Sequence, residues 1–355
     1  MADTEKIPPP PEATIAAPKV AEATVPSAEI SPGRGRQIGG FLLRLGPVWA
    51  LVALAILGTV LNEDFLSPAN VSNVLTRSAI VGLVAIGATF VLSAGMIDLS
   101  VGSLAALIAG AMILSMNEFS SSISSFPLLL TVGVAIALGL GALGGALNGL
   151  IITRGKVDSF IVTLGTMGIF RSVITYVQDG GAATLKSGLR EQMRPLYYGS
   201  FLGISAPVWT LIVLTLVAIV VMHKTRLGRY ALAIGSNREV ARYSGIKTDR
   251  VSLLVFILQG LCVGLATIIY VPRLGAASIT TGAGWELEAI TAVVVGGTAL
   301  RGGHACVSGT VAGIVMLSLV GNILNLTSNL SNLLNGAIQG AIIIAAVLLQ
   351  RRTRT

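Results

Sequence analysis

The stretch HKTRLGRYALAIGSNREVARYSGIKTDR, residues 223–250, decides the fold of this chain. It carries seven basic residues against two acidic ones, and it lies between the apolar runs 207–222 and 251–271. Lys and Arg resist translocation across a bilayer, so a basic loop between two apolar runs marks the cytoplasmic side. The stretch therefore predicts a polytopic membrane protein whose loop 223–250 lies in the cytoplasm.

A short helix is predicted inside this loop. Ser236 and Glu239 match the S-x-x-E capping box, and Gly245 is a suitable stop because Gly accepts the left-handed conformation. Between them, about two helical turns span Asn237–Ser244. The helix and its ends comprise Ser236, Asn237, Arg238, Glu239, Arg242, Tyr243, Ser244 and Gly245. Such a helix serves either as a solvated connector or as a docking element for a soluble partner.

The composition indicates an all-α integral membrane protein. Of 355 residues, 53% are hydrophobic and only 11% are charged, whereas soluble domains have about 25% charged residues. The net charge of +8 is then a topology signal, and we expect the lipid bilayer rather than nucleic acid as a partner. Cys262 and Cys306 form no cluster with His223 or His304 in the sequence, so we expect no metal site.

The apolar runs predict about ten transmembrane helices, or eight if the third and eighth are short re-entrant segments. The runs are 45–61, 71–92, 100–115, 128–152, 160–177, 207–222, 251–271, 287–300, 307–324 and 333–349. Ten crossings place both termini in the cytoplasm together with most of the 24 Lys and Arg residues. Residues 1–40, rich in Pro, Ala and Glu, predict a disordered cytoplasmic tail before the polytopic domain 41–355.

Glycines at regular spacing predict a helix-packing face. Gly141, Gly145 and Gly149 lie four residues apart in one apolar run. Small residues at this spacing let two membrane helices approach closely. Residues 139–144 also match G-x-G-x-x-G, but no strand precedes them, so the match does not indicate a nucleotide site.

Acidic residues beside apolar runs are the candidate pathway residues. Asp98 lies in SAGMIDLSVGS, residues 93–103, with Ser100 and Gly102. Glu286 and Glu288 lie in GAGWELEAI, residues 282–290. Asp98 can cap a helix that begins at Leu99, and the two Glu residues suit a helix N-terminus. Each can instead line or gate a transport pathway, because charge near a bilayer is costly and usually functional.

The sequence shows no catalytic residues and no phosphate-binding loop. It has no H-E-x-x-H and no G-x-x-x-x-G-K-[ST] motif. We therefore expect no bound cofactor and no enzyme activity in this chain. Transport driven by ATP requires a separate subunit.

Three stretches carry a family resemblance. SAGMIDLSVGS, GRYALAIGSNREVARYSGI (228–246) and GAGWELEAITAVVVGGTALRGG (282–303), the last followed by SGT, resemble the permease subunits of bacterial ABC sugar importers of the ribose/xylose/galactose type. The resemblance runs from about residue 61 to 352. His304 and Cys306 depart from the pattern.

The resemblance implies a permease in the bacterial inner membrane that carries a monosaccharide. It implies a second permease copy, two ATPase subunits that bind ATP and Mg²⁺, and a periplasmic sugar-binding protein. The helix in loop 223–250 would then be the coupling helix that contacts the ATPase.

Alternatives remain open beside this resemblance. In an ion-coupled secondary transporter, Asp98, Glu286 or Glu288 would titrate. An ABC permease for a nucleoside, an amino acid or a signalling molecule also fits. A membrane scaffold or channel is a further class.

Overall fold

A computed structural model of the chain describes residues 46–326 and positions 337, 340, 341 and 344. The predicted tail 1–40 and both termini lie outside the described residues. So does the tenth predicted crossing, 333–349, apart from those isolated positions.

Helices make up nearly all of the described chain. They are α1 (Gly46–Leu61), α2 (Pro68–Ser93), α3 (Val101–Phe119), α4 (Phe126–Gly155), α5 (Ser159–Val177), α6 (Ser187–Met193), α7 (Pro195–Tyr198), α8 (Ala206–Lys224), α9 (Arg226–Ser236), α10 (Arg238–Tyr243), α11 (Thr248–Leu274), α12 (Trp285–Val295) and α13 (Val307–Leu326). A 3-10 turn covers Glu63–Leu66. The strands are β1 (Ala182–Thr184), β2 (Ser200–Phe201), β3 (Ile204–Ser205) and β4 (Ala276–Ser278). The strands form two antiparallel pairs, β1 with β4 and β2 with β3.

Seven of the described helices are long and apolar enough to cross a membrane: α2, α3, α4, α5, α8, α11 and α13. The all-α membrane class predicted from composition is therefore confirmed. The third predicted crossing is the 19-residue helix α3. The eighth is α12, whose 11 residues reach about 16 Å at 1.5 Å per residue. That length is about half of the hydrocarbon thickness, so α12 is not a full span.

The helix α4 shows how sequence sets the packing. Leu143, Leu147 and Ile151, four residues apart, are exposed along one face of the helix. The predicted glycine face lies elsewhere on the same helix and contacts α11. A Cβ at Gly141 would overlap with the carbonyl oxygen of Gly260, and a Cβ at Gly145 with that of Phe256. The glycines therefore allow α4 and α11 to touch backbone to backbone, as their spacing predicts.

The fold contains an inverted repeat, in which two sets of three helices run in opposite directions through the bundle. Helices α2, α3 and α4 correspond to α11, α12 and α13, and each set begins with a long helix followed by a non-helical segment, 94–100 or 275–284. Helix α4 packs on α11 as α13 packs on α2, and α3 contacts α11 as α12 contacts α2. Inverted repeats with broken helices are a frequent design of membrane transporters.

The two ends of the bundle differ in chemistry. At one end, which we call the basic end, Gly303 N–H donates to Ser93 O (3.0 Å), and α9 packs beside the end of α2. Arg238 and Arg242 of α10 line a cavity at this end together with Gly95. At the other, which we call the hairpin end, β1 pairs with β4, and the side chains of Asn70 and Asn322 exchange two hydrogen bonds of 2.9 Å. The two non-helical segments start from opposite ends, because α2 ends at the basic end and α11 ends at the hairpin end.

Candidate functional site

The short helix α10 stands at the basic end where the sequence predicts it, but its N-terminus differs from the prediction. Asn237, not Ser236, is the N-cap, and its side-chain oxygen accepts a hydrogen bond from Val240 N–H at 3.0 Å. Ser236 ends α9, and its hydroxyl donates to Leu232 O at 3.0 Å. The predicted capping box of Ser236 with Glu239 is therefore wrong, because the preceding helix already uses Ser236.

The C-terminus of α10 agrees with the prediction. Gly245 has a φ of +82°. Its N–H donates to Arg242 O at 3.0 Å, and Ile246 N–H donates to Ala241 O at 3.1 Å. These two bonds form a Schellman motif, which requires a left-handed residue where Gly245 lies.

The outer face of α10 carries exposed apolar groups. Tyr243 is 79% exposed and Val240 is 58% exposed, whereas Ala241 is buried against the body of the protein. Arg242 lies 5.6 Å from the centre of the Tyr243 ring. Arg238 pairs with Asp249 at the start of α11, with 3.1 Å between nitrogen and oxygen. The helix is thus held to the bundle on one side and presents an aromatic and a branched apolar side chain on the other.

A second cluster surrounds the non-helical segment 94–100. Asp98 is buried, and one of its carboxylate oxygens accepts from Ser100 N–H (2.8 Å) and from the Ser100 hydroxyl (2.6 Å). Asn148 of α4 donates to the same hydroxyl at 2.8 Å. Helix α3 begins at Val101 with Ser100 as its N-cap. The predicted helix start at Leu99, capped by Asp98, is therefore wrong, since Asp98 bonds the residue that precedes the helix.

Burial removes most of the water contacts of this carboxyl group, and the two hydrogen bonds from Ser100 replace part of them.

The first turn of α3 meets the second non-helical segment, 275–284, inside the bundle. A Cβ at Gly102 would overlap with the Gly282 carbonyl oxygen, and a Cβ at Gly282 with that of Gly102. Glu286 lies beside the same point, because its carboxylate would also be crowded by a Cβ at Gly102. Arg171 of α5 holds the second segment by donating to the carbonyl oxygens of Ile279 and Thr281, the latter at 2.9 Å.

Glu286 and Glu288 lie in the first turn of α12, as predicted, and face different surroundings. Glu286 is near Gly102, whereas Glu288 lines a cavity at the hairpin end. Two residues that are spaced by two point to different faces of a helix, which accounts for this separation.

Three residues of this region were not selected from the sequence as site residues: Arg171, Asn148 and Gly282. Arg171 and Asn148 are polar residues within apolar runs, and this is the signal that singles them out. Gly282 offers no such signal, because a close approach of two backbones is visible only in three dimensions. Within the part of the chain that the structure describes, no group of three His, Cys, Asp or Glu side chains is placed to hold a metal ion.

A cavity of about 630 Å³ opens at the basic end beside α10. Its lining includes Gly95 of the first non-helical segment, Asp158, Arg238, Arg242 and Arg301. The arginines and the start of the first segment therefore share one opening. The predicted coupling residues and the region of Asp98 are neighbours in the fold.

Comparison with known proteins agrees with this architecture. Residues 70–347 match the family described as "Branched-chain amino acid transport system / permease component". Over 317 residues the chain is 40% identical to the ribose import permease protein RbsC of Bacillus subtilis (strain 168), covering 88% of this chain and 94% of that protein. Over 323 residues it is 36% identical to RbsC of Escherichia coli (strain K12), covering 90% and 97%.

A third relative is the L-arabinose ABC transporter permease protein AraH of Azospirillum brasilense. It is 33% identical over 336 residues, which cover 93% of this chain and 94% of that protein. No solved structure matches the chain. The apolar helices, inverted repeat and broken segments define a multi-pass membrane transport subunit. The chain belongs to the family of permease subunits of bacterial ABC sugar importers.

Proposed function

We propose that this chain is the permease subunit of an ATP-driven importer that carries a monosaccharide, a pentose such as ribose or arabinose in the first instance, into the cytoplasm. The relatives named for ribose and L-arabinose support the substrate class. The basic end faces the cytoplasm in this proposal, because Lys and Arg accumulate there. The membrane is the bacterial inner membrane, and the hairpin end faces the periplasm.

The observation that carries the proposal is helix α10. It is a capped helix of six residues, and isolated helices shorter than about 12–15 residues are marginal in water. Its caps and its contact with α11 hold it in place, while Tyr243 and Val240 remain exposed. An exposed apolar pair on a fixed helix is suited to insertion into a cleft of a soluble partner.

The partner in this proposal is an ATPase subunit that binds ATP and Mg²⁺, since the sequence of this chain contains no phosphate-binding loop. Two permease copies, identical or related, would sit on two ATPase subunits. A periplasmic binding protein would deliver the sugar to the hairpin end.

The contacts supply a route from α10 to the bundle interior. Gly235, near the end of α9, lies against the carbonyl oxygen of Ser93 and against the loop at Gly302. Ser93 leads into the segment 94–100, and Gly302 follows α12. A displacement of α9 and α10 therefore acts on both halves of the repeat, α2–α4 and α11–α13. The two halves also contact each other at Gly102 and Gly282.

The test is uptake in reconstituted vesicles. The permease is purified with its ATPase, and radiolabelled ribose and arabinose are offered with their binding protein outside and ATP at the basic end. We expect uptake that needs both ATP and the binding protein. Uptake of neither sugar, with uptake of a nucleoside or an amino acid instead, would contradict the substrate class while leaving the ABC mechanism in place.

The buried Asp98 favours a second candidate, a proton-coupled transporter. A carboxyl group buried between two membrane helices is a frequent site of proton transfer in transporters. That mechanism predicts uptake by the permease alone when a pH gradient is imposed. Uptake that persists without the ATPase would replace the first proposal by this one.

A further inference from the structure

A second cavity opens at the hairpin end, within a single copy of the chain. It has a volume of about 620 Å³ and lies between α2, α11, α12 and α13. Binding sites for small molecules usually have volumes of about 300–1,000 Å³. The cavity is distinct from the point where Gly102 meets Gly282, since neither glycine lines it.

Two helices present polar stripes to this cavity. On α2 and on α13, polar side chains recur every three or four residues, which is the spacing of one helix face. They are Asn70, Asn73, Arg77, Ser318, Asn322 and Asn325. Both helices are long enough and apolar enough on average to span a membrane. Polar groups in such helices are costly and face protein or water-filled cavities, so two facing stripes indicate a hydrated site.

The remaining wall adds aromatic rings and charges. Tyr270 and Trp285 pack edge to face with their ring centres 5.3 Å apart, and both line the cavity. Arg273 lies at the mouth, where its guanidinium is 5.9 Å from the Tyr197 ring centre. Glu288 contributes a carboxylate to the same lining.

We propose that this cavity is a binding subsite for a neutral polyol, a pentose or hexose, within each permease copy. The proposal rests on the proposed function in sugar import and adds to it a place where the sugar is held. Sugar hydroxyls both donate and accept hydrogen bonds, as the Asn amides do. The Arg side chains can donate to the hydroxyl oxygens of the sugar, and the Glu carboxylate can accept from its O–H groups. Tyr270 and Trp285, which line the cavity, supply the apolar contact that a sugar ring needs.

A phosphate group is the main competing ligand, because Arg77 and Arg273 are both present. A phosphate group accepts hydrogen bonds, so its binding site must supply donors. The Glu288 carboxylate and the amide oxygens of Asn73 and Asn325 are instead acceptors. The mixed lining therefore favours a polyol over the headgroup of a phospholipid.

The test is protection of an engineered cysteine in the purified permease without its ATPase. Asn73→Cys places the thiol on the cavity wall at an exposed position, and Ser72→Cys places it on the neighbouring exposed residue outside the lining. Cys306→Ser removes the accessible native thiol, while the buried Cys262 remains. Asn325→Cys on the opposite wall is an independent reporter.

We expect ribose or arabinose to slow the labelling of Asn73→Cys by an impermeant maleimide. The slowing is about tenfold when the sugar is at about ten times its dissociation constant, because only the unoccupied site reacts. Labelling of Ser72→Cys should not change. Glycerol phosphate, the probe for a lipid headgroup, should protect neither position.

Three outcomes overturn the proposal: no protection of Asn73→Cys and Asn325→Cys by either sugar, equal slowing at Ser72→Cys, or protection by glycerol phosphate alone. The assay needs neither ATP nor transport. Protection without uptake in the complete transporter would therefore contradict only the function proposed above, and uptake without protection would contradict only the subsite.

Discussion

Gly245→Val tests whether α10 transmits the signal between ATPase and permease. Gly245 occupies a left-handed conformation with φ +82°, and no atom lies within 4 Å of the position of an added Cβ. The substitution therefore meets no steric overlap. Its effect comes entirely from the backbone, which a β-branched residue does not readily hold at positive φ.

The free-energy cost of Gly245→Val depends on whether the backbone keeps the left-handed conformation at this residue or leaves it. Holding the left-handed conformation costs roughly 1–2 kcal/mol for a residue with a Cβ. Leaving it breaks the bonds from Gly245 N–H to Arg242 O and from Ile246 N–H to Ala241 O, each with a net value of about 0.5–1.5 kcal/mol. The cheaper of the two responses costs about 1–2 kcal/mol, so the population of the native helix end falls by about 5- to 30-fold. Gly245→Asn should cost less, because Asn tolerates this conformation.

The assay is retention of the ATPase on the purified permease, followed by ATP hydrolysis stimulated by loaded binding protein. The matched control is Gly180→Val at the hairpin end. Gly180 has a φ of +73° and also has open space around its Cβ position, so it suffers the same strain far from α10. We expect Gly245→Val to lose ATPase retention and Gly180→Val to keep it.

Equal loss in both variants would show a general folding defect. Normal retention and normal stimulated hydrolysis in Gly245→Val would show that α10 is a solvated connector. The assignment of the ATPase as its partner would then rest on the relatives alone.

Three further results are expected. Gly141→Ala should destabilise the protein by about 1–3 kcal/mol in a thermal unfolding assay in detergent, because its Cβ overlaps with Gly260 O. Gly139→Ala on the same helix, with open space around it, should be neutral. Equal effects of the two substitutions would contradict the packing of α4 on α11. Asp98→Asn should keep most of the uptake if Asp98 serves only to hold Ser100, because the Asn amide oxygen can accept the same two hydrogen bonds. A variant that reaches the membrane but does not transport would show that the charge of Asp98 is needed. In intact cells an impermeant thiol reagent should label Ser187→Cys at the hairpin end but not Ser244→Cys at the end of α10, and the reverse pattern would invert the orientation.

Local sequence patterns predict the membrane-helix class, the glycine face of α4 and the C-terminus of α10. Each depends on residues close together in the chain, such as Gly245 two residues after the end of the helix. The N-terminus of α10 was predicted one residue early because Ser236 and Asn237 are both good N-caps. Two hydrogen bonds distinguish them: Ser236 donates to Leu232 O inside α9, and Asn237 accepts from Val240 N–H of α10.

The cavity at the hairpin end depends on contacts that no local pattern contains. Asn70 and Asn322 exchange hydrogen bonds across 252 residues of sequence. The polar stripe of each helix is visible in the sequence at a spacing of three or four residues. The fact that the two stripes face each other follows only from the packing of α13 on α2.

The inverted repeat explains why the candidate residues lie at breaks in helices. Within the bilayer, non-helical backbone is tolerated only where protein or a hydrated cavity surrounds it. In the segment 94–100, Asp98 and Asn148 bond Ser100, and in 275–284 Arg171 bonds the carbonyl oxygens of Ile279 and Thr281. Asp98 and Arg171 thus bond backbone groups that a continuous helix would satisfy by itself, and Asn148 holds the Ser100 hydroxyl. We infer that these side chains hold the two halves of the repeat, α2–α4 and α11–α13, in a shape in which they touch at Gly102 and Gly282. A shift of one half at either end of the bundle then displaces the other half.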